Sequence, residues 1–133
     1  MLTTPPSLHD RLMKAVLLLQ VVALFVGTLM PGTARYVLER RVDSALSGPS
    51  LPLSSLAHLL LFASVAVVLR RRPFNWSVPR IVVATLVLAL LSEGLQHFAI
   101  DRHPRLVDVG IDMVGTLLGL VIAGLVAVCF ARR

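Results

Sequence analysis

The chain has a single cysteine, Cys129, in 133 residues, so no disulfide, Cys-x-x-Cys redox pair or thiolate zinc cluster can form within it. Cys129 reads as a small apolar packing residue, with reversible palmitoylation as the other reading. Aromatic residues reach only 5% and do not interleave with the basic ones, which excludes the base-stacking platforms of nucleic-acid binders. Charged residues amount to 15%, too few for a disordered solvating chain or an ordinary soluble globule. Low-complexity segments, internal repeats and nucleophile motifs are also missing.

What fills the chain instead is apolar, at 56% of residues. Four runs approach the length of about 20 residues that a bilayer requires. They predict spans over approximately 12–30, 51–70, 79–100 and 108–131, consuming most of a single membrane domain, 1–133. A cleaved signal is the alternative for the first run, since Arg11 and Lys14 precede it and Gly32-Thr33-Ala34 follows. Its length, and the lack of an Ala-x-Ala ending, favour a retained span. The expected fold class is therefore all-α, an integral membrane four-helix bundle.

The segments between the runs are punctuated clearly. Pro31 and Gly32 stop the first helix. From Ala34 to Leu46, Leu38, Val42, Ala45 and Leu46 recur at helical spacing among charged residues, predicting a short amphipathic helix on the outer membrane surface. Arg70-Arg71-Arg72 ends the second span, and Trp76 falls at the expected headgroup level. Pro104 breaks the chain between the last two spans. Arg11, Lys14, the arginines at 70–72, Arg80, Arg132 and Arg133 fall on one side. The opposite arginines are fewer and diluted by Glu39, Asp43, Asp101 and Asp108. The positive-inside rule then predicts both termini in the cytoplasm.

That topology gathers the intramembrane polar residues at one depth, beneath the extracytoplasmic surface. His58 lies early in span two, Glu93, Gln96 and His97 late in span three, and Asp108 and Asp112 early in span four. Two uncompensated carboxylates deep in lipid would cost about 5 to 7 kcal/mol, so Glu93 and Asp112 are expected to face inward with partners. Glu93, Gln96 and His97 share a helical face, as do Asp108, Asp112, Gly115 and Gly119. Gly115-x-x-x-Gly119 should let a neighbouring helix approach closely, and Gly94 could act similarly. Gln20 is expected to donate an interhelical hydrogen bond, while His9 and His103 read as solvated.

The series His58, Glu93-x-x-Gln96, Arg102, Asp108, residue 112, Gly115 and Gly119 resembles the VanZ-like family over roughly residues 50–122. Two positions depart from the family pattern. Ser54-Ser55 stands where members usually have Asp-Lys, and Asp112 replaces the usual Asn, making the outer pocket more acidic. The resemblance implies a protein of the bacterial cytoplasmic membrane, associated with reduced susceptibility to teicoplanin. It would engage a lipid-linked cell-envelope precursor or a lipophilic glycopeptide, and would need no cofactor.

Several chemistries fit these residues. Arg102 and Arg105 could hold a phosphate- or sugar-bearing headgroup, with His58, Glu93, Gln96, Asp108 and Asp112 completing a ligand site. Alternatively a Glu93–Arg102 pair joined by Asp108 and His58 could simply fix helix packing in a scaffold, partner subunit or homo-oligomer. An enzyme acting on a lipid headgroup would use Glu93 as acid or base with His58 or His97. A metal held by His58, Glu93, His97 and Asp112 is the weakest reading, since the usual zinc signatures are missing. A proton pathway is disfavoured because no ionisable residue occupies the cytoplasmic half of any span.

Overall fold

Caps and prolines divide the apolar runs into five helices in the computed structural model, which describes residues 6–46, 53–101 and 105–131. The helices are α1 (Leu8–Leu29), α2 (Gly32–Leu46), α3 (Leu53–Arg70), α4 (Val78–Gln96) and α5 (Leu106–Ala131). No strand occurs among the described residues. All but α2 are long and apolar enough to cross a membrane. At 1.5 Å per residue they extend about 27 to 39 Å, against a hydrocarbon core of about 30 Å. Their outward faces carry uncovered aliphatic side chains such as Leu18, Leu19, Val26, Leu117 and Leu125, the surface expected of helices immersed in lipid.

Helix boundaries differ from the periodicity-based expectation where local hydrogen bonding decides. α1 begins at Leu8 rather than near residue 12, because Ser7 and Asp10 form a capping box that adds a turn. α4 begins one residue early, after Ser77, with Pro79 in its first turn. It stops at Gln96, well short of Ile100. His97, Phe98 and Ala99 donate to carbonyls only three residues back, tightening the chain out of the α-helix. Asp101 then takes a left-handed conformation with φ of 56°.

α3 is the centre of the bundle, packed by α5, α1 and α4, with α2 against one end. Phe62, Val65, Ala66 and Leu69 of α3 meet Leu24, Ile81, Ala89 and Val109 from the other helices. The tightest seam lies between α3 and α5. A Cβ on Gly115 would fall closer than 3.0 Å to the Leu59 carbonyl, and one on Gly119 would meet the Ala63 backbone equally closely. Only glycine allows these backbones to meet. Matching 59 with 115 and 63 with 119 also shows that α3 and α5 run parallel. Gly94 does not share this role, because a Cβ there would enter open space.

α1 is held to α3 by the expected interhelical bond, with Gln20 Nε2 donating to Ser64 Oγ at 2.9 Å. The Ser64 hydroxyl in turn donates to the Leu61 carbonyl at 2.8 Å. Cys129 faces outward near the end of α5, so its reading as a packing residue is corrected.

Candidate functional site

The polar residues converge at the end of the bundle where α3 and α5 begin and α4 ends. His58 Nδ1 lies 2.9 Å from Asp112 Oδ1, bridging α3 and α5 one turn from the Gly115 contact. Asp112 is fully buried, and its second carboxylate oxygen has no hydrogen-bond partner among the described residues. His58 is half-buried and forms the accessible side of this pair. With its proton on Nδ1 the imidazole donates to the carboxylate, and His58 also lines the adjoining apolar cavity.

Glu93 and Gln96 form a second buried unit. Gln96 Nε2 donates to Glu93 Oε1 at 2.6 Å, consistent with the i, i+3 spacing that places them on one helical face. The main-chain N–H of Arg105 donates to Glu93 Oε2 at 2.7 Å. Glu93 therefore ties the end of α4 to the start of α5 through backbone, giving both carboxylate oxygens a donor. Arg102, the anticipated partner of Glu93, lies outside the described residues, as does His103. His97 caps α4 and faces outward, so the spacing that put it on the Glu93 face does not operate. The four-residue metal set is not assembled, and no group of three potential metal-binding side chains exists among the described residues.

α2 completes the site in a way that its amphipathic pattern did not reveal. Gly32 N–H donates to the Ile100 carbonyl at 3.1 Å, and the Asp101 backbone packs so closely on Gly32 that no Cβ could fit. This contact seats the start of α2 on the turn after α4. The half-buried edge of α2 then includes Gly32, Arg35 and Glu39, while Tyr36, Val37 and Leu38 are more exposed. Arg35 Nε pairs with Glu39 Oε1 at 3.0 Å, and its other guanidinium arm reaches Ser54 Oγ at the start of α3. Burial alone pushes the Glu39 carboxyl up, but hydrogen bonds from Arg35 and Ser54, with the Arg35 charge, outweigh it and leave it below the usual carboxylate range. Ser54 is thus a partner within the site.

Two cavities meet at the Arg35–Glu39 pair. One, of about 310 Å³, is polar and bounded by Arg35, Glu39, Gln96, Asp101, Arg105 and Asp108. Asp108 sits half-buried in its wall. The other, of about 170 Å³, is mainly apolar, bounded by Met30, Leu38, Leu53 and Ala57, with His58 and Ser54 at its polar edge. No protein-family model, curated protein or solved structure matches the chain. The chemistry of the site therefore rests on its own residues. A guanidinium flanked by one charged and one apolar chamber suits a molecule with a polar head and a greasy body. Gln96 of the Glu93–Gln96 unit lines the polar chamber, and His58 of the His58–Asp112 pair lines the apolar one.

Proposed function

We propose that this chain is a VanZ-like polytopic membrane protein that binds an amphipathic ligand at its α2-capped end, on the extracytoplasmic side. The ligand's phosphate or sugar head would occupy the polar chamber, and its lipid portion the apolar one. A lipid-linked cell-envelope precursor or a lipophilic glycopeptide has that chemistry. The juxtaposition of the two chambers across the Arg35–Glu39 pair carries this reading. Arg35 also supplies a cation beside Ser54-Ser55, where the resemblance leads one to expect a lysine. The polarity of the site is thereby kept although the residue on α3 is changed. The distribution of arginines supports the orientation through the positive-inside rule.

The test compares cells with and without the chain across teicoplanin, other glycopeptides and other envelope-targeting agents, with membrane abundance measured in parallel. The expected result is a shift in susceptibility that Arg35→Gln removes at unchanged abundance. A charged hydrogen bond contributes about 1.5–3 kcal/mol, so binding should weaken at least tenfold in that variant. An unchanged profile for every agent overturns the proposal.

One observation favours a second reading, a scaffold or partner subunit. The His58–Asp112 bond lies on the same α3–α5 seam that Gly115 closes, where it would fix helix register. Under that reading Arg35→Gln and Glu93→Gln lower abundance or helix association in proportion to any lost activity. A headgroup enzyme would instead turn over a lipid probe and lose turnover in Glu93→Gln.

A further inference from the structure

The opposite end of the bundle carries a separate cavity, which the reading above does not use. By the register of the glycine seam, Arg70 at the end of α3 lies level with Val126 of α5. α5 continues to Ala131, overhanging α3 by about 7 Å. The chain leaves α3 through Arg70, Arg71 and Arg72, and a space of about 450 Å³ opens between this turn and the bare flank of α5. One wall is three arginines; the other is Ala123, Gly124, Ala127 and Phe130. His9 of α1 borders the space, and no carboxylate lines it among the described residues.

The arginines are differently committed. Arg70 donates from Nη1 to the Trp76 carbonyl at 2.9 Å, which orders the turn. Trp76 in turn packs against the core beside Val65 and Ile81, with Arg80 stacked over its ring at 4.3 Å. The exposed guanidinium groups of Arg71 and Arg72 have no carboxylate partner among the described residues. Two unpaired cations therefore stand on a fixed turn at the end of a membrane-spanning helix. The adjacent α5 flank is smooth, since Gly124 has nothing within 4 Å of the place its Cβ would occupy.

We infer that this cavity is a binding site for an anionic phospholipid. The phosphodiester accepts from the Arg71 and Arg72 guanidinium groups, and one acyl chain lies along Gly124 and Ala127. Charge complementarity selects the occupant: in a zwitterionic lipid the headgroup's own cation offsets the phosphate charge that the arginines would meet. The site is at the other end of the molecule from the proposed ligand chambers and stands without them.

Native mass spectrometry of the full-length protein, loaded from mixed micelles with phosphatidylglycerol or phosphatidylcholine of matched chains, tests this. Phosphatidylglycerol should be retained in preference. At about fivefold for each basic residue near a lipid surface, Arg71→Gln with Arg72→Gln should reduce retention roughly 30-fold. The charge-matched pair Arg11→Gln with Lys14→Gln, on α1 outside the cavity lining, should leave it near the parent value. Gly124→Leu keeps every charge, fills the acyl groove and should also reduce retention. Inorganic phosphate at millimolar concentration should not displace the lipid. Equal retention of both lipids, equal losses in the two charge pairs, full retention in Gly124→Leu, or displacement by inorganic phosphate each overturns the inference.

Discussion

The two ends of this bundle treat charge in opposite ways. At the α2-capped end, Asp112 is fully buried, Glu93 and Gln96 nearly so, and each is tied to another helix or to its own turn. At the arginine-rich end Arg70, Arg71, Arg72 and Arg80 are all exposed, and their contacts are to a carbonyl or an aromatic face. A buried charge destabilises the fold unless it is paired, whereas an exposed one is solvated at little cost. The first end therefore has few tolerated substitutions and the second many.

The contrast breaks most visibly at His58. Removing its ring in His58→Ala leaves Asp112 buried without its donor, and should cost about 3 kcal/mol or more in detergent unfolding titrations. Arg71→Ala at the other end should stay within about 0.5 kcal/mol. Asp112→Asn, which can keep a hydrogen bond to His58, should be far milder than His58→Ala; equal losses would show that the pair is not what holds the buried end. Glycine substitutions sharpen the same comparison at intermediate size. Gly119→Ala forces a Cβ against the Ala63 backbone and should cost about 1–3 kcal/mol, while Gly124→Ala meets open space and should be neutral in thermal melts.

The smallest expected effect is a pH dependence at the rim. Glu39 has its carboxyl held below the ordinary value of 4.5 in the folded protein, so its contribution is present above that pH. It is lost as pH falls through the depressed value, where the folded carboxylate finally takes up a proton. Glu39→Gln should flatten this acid limb of a stability profile and leave the neutral limb alone. An unchanged acid limb would remove Glu39 from the group of ordered site residues.

Much of this arrangement is legible in the sequence. Apolar run length locates the four spanning helices to within a few residues, since a bilayer imposes a length that no packing detail overrides. The parallel sense of α3 and α5 follows from counting spans and puts His58 and Asp112 at one depth, although their direct pairing carries no sequence signal. Gly115 and Gly119 announce the close seam by their spacing. The failures have local causes. Periodicity could not show that α4 unwinds at His97, because tight backbone bonds and the left-handed Asp101 decide it. The helical pattern of α2 groups Arg35 with Glu39 but cannot say which edge meets the bundle; the Gly32–Ile100 contact settles that. Ser54 carries no signal of its own until Arg35 arrives from another helix.

The parallel sense of α3 and α5 has an electrical consequence. Peptide dipoles in the two helices add rather than cancel, so two positive helix ends point to one side and two negative ends to the other. Asp108 occupies the first turn of α5 and Arg70 the last turn of α3, each at the pole that favours its sign by about 0.3–1 kcal/mol. Exchanging those two residues would set both charges against the field of their own backbone.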